Sequence, residues 1–496
     1  MPGSSTTLRF SGSVIIKALL FLVVAYIPFF LHLGYLPVRV WDEARLIANT
    51  LEMARNGNFL VPHFDGYPDM WNTKPPLMIW FQLLFLKLIG NEEIAYRLPS
   101  AIAGFSTALI VLLLFVKYIK NFWFGFIAVL ILITANGFVG EHVARTGDYD
   151  ALLTFFTSLY ALSFFLFVES GKQKFLHLFF AGLVLAVLTK SVQGLLFLPA
   201  LAIYLLITKN LLKSLKNKWL YIDFLIASLI IAGYYILRES VNPGYFDAVI
   251  SNELSGRYID TTENHRHGML YYVDLLYNQQ FGVWLLFVPM GILTGLFLKK
   301  GIVKRLVIYS TSLVVFYLLV ISLAGTKLAW YDAPLYPFLA ILAAVVVFEI
   351  YTLLSEAEFA GKSKRFNLLP YILLFAFFIV PYQQIFNKVY KPKETESAAE
   401  FYLISHFLKD AVKGKQDISD CYICYDGYYE HLKYYTDRLN ANHQNVRFID
   451  AGRLNAGDLV LVSQLSVQSI IEKTYLTEEV GSHYSIKTYR INGTRN

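Results

Sequence analysis

Asp42 and Glu43 stand near one end of a long connection, and Lys74-Pro75-Pro76 near the other, between the first apolar run and Arg97. A carboxylate can take a proton from a hydroxyl, and a lysine can hold an anion such as phosphate through charge-assisted hydrogen bonds. Carboxylates adjacent in sequence point in different directions, so one can be a general base while the other supports it. An ordinary aspartate, at pKa about 4, is a weak base for a hydroxyl, so positioning must supply much of the catalysis. A second acidic set lies in Arg145-Thr146-Gly147-Asp148-Tyr149-Asp150. Asp150 heads an apolar helix, where a carboxylate also serves as an N-terminal cap. Lys190, Arg257, Arg266 and Lys327 add cations at the ends of apolar runs, with His265 and His267 beside Arg266. Such cations stabilise a phosphate and its departure. The plainer alternative is snorkelling to lipid head groups, which applies most to Lys190 and Lys327. The two histidines with an acidic partner can hold a divalent metal, although His-x-His alone is a weak signal; nothing in the residues requires a cofactor.

The elements that must position these groups are mostly lipid-soluble. Of 496 residues, 56% are hydrophobic and 16% charged, and the mean hydropathy is +0.49, which excludes a soluble enzyme. Eleven apolar runs, near 13–33, 97–116, 122–139, 150–168, 175–189, 192–208, 219–237, 279–298, 306–324, 328–350 and 368–387, predict spanning helices, since hydrocarbon forces the backbone to satisfy its own hydrogen bonds. With the N-terminus inside, the inner connections hold Lys117 and Lys120; Lys172 and Lys174; Lys209, Lys213, Lys216 and Lys218; Lys299, Lys300, Lys304 and Arg305; and Lys362, Lys364 and Arg365. This is a positive-inside pattern. The net charge of +7 therefore reads as topology and not as nucleic-acid binding. Arg9 and Lys17 precede an apolar stretch without a small-residue cleavage site, so that stretch is expected to be a retained first span. Leu77 to Gly90 is too short to span and reads as an interfacial helix begun by the proline pair.

The expected fold is thus an all-α polytopic membrane domain over 1–390, with about 11 spans plus interfacial helices, and a small α/β extracytoplasmic domain over 391–496. In the latter, Glu394–Val412 and Ser466–Tyr475 read as helices, and Asp420–Tyr425, Val446–Asp450 and Asp458–Gln464 as strands. No nucleotide-binding glycine loop occurs there. The only cysteines, Cys421 and Cys424, read as ordinary strand residues ahead of a redox pair or metal site. On this topology the Asp42 loop, 141–149, 189–191, 238–278 and 325–327 all open on the outer side, and one composite site is the economical expectation. A multi-span lipid or sugar transporter or flippase is the rival, but transporters tend to place their charges near the bilayer midplane.

Trp41-Asp42-Glu43-Ala44-Arg45, the turn Gly57 to Pro62, Lys74-Pro75-Pro76 and Arg97-Leu98-Pro99-Ser100 resemble the GT-C glycosyltransferases. Ala144-Arg145 through Leu153, Leu188-Thr189-Lys190 and Thr326 to Tyr331 continue the resemblance in order, over about residues 10–350. The pattern is similar to lipid A aminoarabinose transferases and protein O-mannosyltransferases. The resemblance implies an inverting transfer of one sugar from a polyprenyl-phosphate donor to a glycan, lipid or protein acceptor at the outer face of a bacterial plasma membrane. It implies a catalytic Asp42 and a second-loop acid at Asp150 with Asp148, and donor-phosphate contacts from Lys74, Arg266 and Tyr331. Asn72-Thr73 departs from the pattern, because the aminoarabinose transferases place an acid there that would share a metal site with His265.

Overall fold

The computed structural model describes residues 12–259, 265–356 and 368–495, with side chains for all of these except 255–259. Arg9, Lys362, Lys364 and Arg365 of the expected topology signal lie outside the described residues. The chain forms two compact units. One takes Met1–Leu33, Met70–Met78 and Leu98–Tyr390; the other takes Gly34–Asp69, Ile79–Arg97 and Lys391–Asn496.

In the first unit the helices are apolar on all sides, as burial among other helices or in lipid demands. Asp150–Ser170 has sixteen buried residues and stops at Gly171, whose φ of 66 is the left-handed conformation that favours glycine. It packs on Gln173–Lys190 at Gly182, where an added Cβ would meet the Tyr160 backbone nitrogen at 3.1 Å.

Among the described residues of the whole chain, eight helices are long and apolar enough to cross a bilayer, or nine if the pair Tyr271–Gln280 and Trp284–Phe297, bent by 114°, counts as one span. The eleven expected runs resolve differently because 122–139 and 192–208 yield helices of only 12 and 10 residues, Phe122–Ile133 and Leu198–Ile207. At 1.5 Å per residue these reach roughly 18 and 15 Å, against a hydrocarbon core of about 30 Å.

Both nevertheless carry the chain from one end of the unit to the other. Lys17, early in the first helix Gly12–Phe30, lies over the ring of Phe122 at 5.4 Å. Beyond Phe122–Ile133, Arg145 donates to the carbonyls of Pro28 and Leu31 at 2.9 and 2.8 Å. A cation there satisfies carbonyls that the helix end leaves open. Similarly, Gln173 bonds Asn217 at the start of two helices, and Ser191 bonds Tyr235 near their other ends. Gln173–Lys190 and Lys218–Val241 therefore run in the same direction, and the segment containing Leu198–Ile207 brings the chain back.

The second unit holds a five-stranded sheet ordered Arg447–Phe448, Tyr422–Cys424, Leu459–Val462, Ile486–Thr494, Tyr475–His483. The first three strands are parallel, and the last two add antiparallel as a hairpin. The expected strands are present in shortened form, the first expected helix divides into Glu396–Ala399 and Leu403–Val412, and the second is Leu465–Thr474. This unit draws on more chain than 391–496. Val38, Ala44, Ile47 and Tyr96 join Ile404, Leu408, Ile423, Leu432, Tyr435 and Leu461 in one core. The helix Asp42–Asn56 needs that cover because its inner face is apolar. Leu77–Ile89 has 13 residues, too few to span a bilayer.

Candidate active site

The first unit gathers its charged helix ends at the end marked by Arg145 and Leu31. Asp150 is the first residue of Asp150–Ser170, and Lys190 is the last of Gln173–Lys190, which Ser191 breaks at φ 52. Lys190 Nζ donates to both Asp150 carboxylate oxygens, at 2.6 and 2.8 Å, and both residues are buried. The same ammonium lies 5.4 Å from the centre of the Tyr331 ring. A candidate acid and a candidate phosphate cation are therefore partners of one another. Removing either would leave a buried charge uncompensated.

The neighbouring loop continues the cluster. The Asp148 carboxylate accepts from the Thr146 hydroxyl and lies 3.7 Å from His142 Nδ1, while its carbonyl accepts from Ser100. His142 stacks on Trp330, with ring centres 3.6 Å apart. Tyr149 and Asn72 bond through hydroxyl and amide at 2.8 Å. Lys74 lies over the Tyr149 ring at 5.5 Å and 3.3 Å from Glu253. Residues 72–74, 142–150, 190–191, 253 and 330–331 thus form a chain of contacts although hundreds of positions separate them. Lys327 donates its backbone N–H to the His265 carbonyl and its ammonium to the Ala324 carbonyl, at 3.0 and 2.8 Å. Burial, with the charge of Arg266, holds that ammonium below the ordinary lysine value.

In the second unit the acidic pair divides. Asp42 is exposed in the first turn of Asp42–Asn56, next to Trp41, which stacks on Tyr428 at 4.5 Å. Glu43 is buried: its two oxygens accept from Arg97 Nε and Nη2 at 2.7 and 2.8 Å, and one also accepts the Arg39 backbone N–H at 2.7 Å. This fork-to-fork pair anchors the start of the helix. Asp69 is held likewise by Arg45, at 2.9 and 2.7 Å, and by Asn49.

Residues 73–236 match the family described as dolichyl-phosphate-mannose-protein mannosyltransferase. The fold is similar to the crystal structure of ArnT from Cupriavidus metallidurans bound to undecaprenyl phosphate, with a TM-score of 0.68 at 15% identity over 96% of this chain and 98% of that one. The chain is a glycosyltransferase with this fold. Among the transferase's relatives, an uncharacterized protein of Aquifex aeolicus is 25% identical over 74% of each chain. An undecaprenyl phosphate-alpha-4-amino-4-deoxy-L-arabinose arabinosyl transferase of Aeromonas salmonicida is 28% identical over 69% of this chain, which spans 62% of that relative's length.

Of the residues expected in the GT-C site, Lys74, Asp148, Asp150, Lys190, Arg266, Lys327 and Tyr331 fall in the first unit and Asp42 and Glu43 in the second. The Arg257 side chain lies outside the described residues. His265 belongs to no group of three potential metal ligands among the described residues. Its neighbour His267 stacks on Tyr271 at 4.1 Å. Glu253 carries no signal in the sequence: the 238–278 connection stands out for its cations, and nothing in its spacing pairs Glu253 with Lys74. The cysteines are free and buried; burial pushes both thiols up to about 12.

Proposed function

We propose that the chain moves a single sugar from a polyprenyl-phosphate donor to an acceptor on a glycan, lipid or protein, at the outer face of the bacterial inner membrane and with inversion at the anomeric carbon. One observation carries this reading: Lys74 and Lys190 are buried at apolar helix ends, each against a carboxylate and a tyrosine ring. That is where a phosphate on an isoprenoid tail would meet its cations. The names of the matched family and of the Aeromonas relative carry lipid-phosphate sugars, and the Cupriavidus structure has undecaprenyl phosphate bound. The basic connections at Lys117, Lys172 and Lys304 support an outward-facing site, since they belong to the opposite ends of the same helices.

In the transfer an acceptor hydroxyl oxygen bonds to the anomeric carbon as the bond from that carbon to the phosphate oxygen breaks. The hydroxyl proton passes to the Asp42 carboxylate, and the electron pair of the broken bond stays on the phosphate. Lys74, Lys190, Lys327 and Arg266, with the Tyr331 hydroxyl, stabilise the growing negative charge. Asp150 and Asp148 orient other groups, Asp150 by holding Lys190. Glu43 supports the Asp42 helix through Arg97. The donor's phosphoester supplies the activation, so no nucleotide enters the step.

The test is transfer from a radiolabelled polyprenyl-phosphate sugar in proteoliposomes supplied with envelope glycolipids and proteins. Label should leave its lipid and appear on an acceptor, with polyprenyl phosphate released. Label that crosses the bilayer still attached to its lipid would instead indicate a transporter and reject the proposal. Mass analysis of envelope glycolipids and glycoproteins, with and without the active chain, then names the acceptor.

A further inference from the structure

Glu253 is 2% exposed, and its carboxylate reaches 180 residues back along the sequence to accept from the Thr73 hydroxyl at 3.2 Å. It also lies 3.3 Å from Lys74 Nζ. The segment that bears it grips the same turn elsewhere. Asn252 Nδ2 donates to the Met70 carbonyl at 2.9 Å, and the Tyr245 hydroxyl donates to the Thr73 carbonyl at 2.7 Å. Beneath these, the fully buried Arg238 lies over the Tyr245 ring at 4.4 Å. The turn from Met70 to Lys74 is thus fastened through its backbone as well as its side chains.

A lysine side chain carries about 2 kcal/mol of rotamer entropy, and an ammonium that must search for its ligand forfeits part of that on binding. We infer that Glu253 is the positioning residue for Lys74: with the Thr73 hydroxyl it holds the ammonium over the Tyr149 ring, in place for the donor phosphate before the donor arrives. This rests on the donor-phosphate role proposed for Lys74. It also places beside Lys74, from a distant segment, the carboxylate that Asn72-Thr73 does not provide in sequence. Thr73 is then part of the device, because its hydroxyl fixes the Glu253 oxygen that faces the lysine.

A positioning role and simple neutralisation predict opposite signs. If Glu253 only cancelled the lysine's charge, its removal would strengthen attraction for an anionic donor. As the positioning residue, its removal weakens donor use. The experiment is a double-mutant cycle on the full-length protein in proteoliposomes, reading kcat and KM for the polyprenyl-phosphate sugar. Native mass spectrometry of bound polyprenyl phosphate gives a readout independent of turnover. Glu253→Ala should lower kcat/KM for the donor about tenfold, and nothing further should be lost when it is combined with Lys74→Ala. Glu253→Gln, which keeps the shape and an acceptor oxygen, should recover part of the loss and serves as the folded control. Additive losses in the cycle, or tighter polyprenyl-phosphate binding by Glu253→Ala, would overturn the inference while leaving the donor reading intact. A Lys74→Ala protein with unchanged donor binding and kinetics would overturn both.

Discussion

Lys190 donates to both carboxylate oxygens of Asp150, joining the last residue of one buried helix to the first residue of another. The pair is neutral as a whole, yet it fixes a cation beside Tyr331 that neither helix end would fix alone. Asp150→Ala should therefore cost about 3–5 kcal/mol of stability, because the ammonium is left buried without its partner. Thermal melting of the detergent-solubilised chain measures this. A melting temperature equal to wild type would show that Lys190 finds solvent or another acid. Asp150→Asn combined with Lys190→Met should regain most of the stability and still fail to use the donor.

Asp42 should behave in the opposite way. It is exposed, so Asp42→Asn should alter stability by no more than about 0.5 kcal/mol. Transfer should be abolished while polyprenyl-phosphate binding is retained. A purified variant with near-normal turnover would remove Asp42 from the mechanism.

Its neighbour Glu43 gives the contrast. Glu43→Ala strips the carboxylate from the Arg97 guanidinium, which is buried with it and still donates to the uncharged carbonyls of Leu36 and Pro37. A loss of about 3–5 kcal/mol is expected, read as an early melting transition. Selective loss of turnover at unchanged melting temperature would assign Glu43 to the chemistry instead.

His431 supplies a pH dependence. The ring is fully buried against Phe401, and both nitrogens lack a hydrogen-bond partner among the described residues. Burial, then the charge of Arg39, pushes the ring down to about 4. The unfolded value is about 6.5, so between these values the unfolded chain binds more protons than the folded one. Stability is complete above the unfolded value and should fall by up to about 3 kcal/mol as pH drops to the folded value. His431→Phe keeps the stacking and should flatten the melting profile between those limits. An equally steep profile in that variant would place the titration elsewhere.

Much of this was legible in the residues because apolar length and charge at helix ends are local properties. The pairing of those charges is not local. Asp150 reads as a helix cap and Lys190 as a snorkelling cation until the break at Ser191 turns one toward the other. Glu253 meets Lys74 only through the packing of Tyr245 and Asn252 on the turn at Met70. The hairpin at Tyr475–Thr494 escaped notice because its turn is Tyr484-Ser485, without the glycine or asparagine that usually marks one. Gly34–Asp69 reads as part of a long connection between apolar runs, yet its apolar face is absorbed in the core of the C-terminal sheet.

The two buried cysteines carry a practical consequence. Alkylating reagents attack thiolate, and thiols raised to about 12 present almost none of it near neutral pH. The native chain is therefore a silent background for maleimide labelling, with no cysteine to remove beforehand. A single cysteine placed at exposed Tyr484 or Lys216 becomes the sole reactive position. An impermeant reagent applied to intact cells would report which side of the membrane each one faces, while Cys421 and Cys424, unlabelled until the sheet opens, would record unfolding in the same sample.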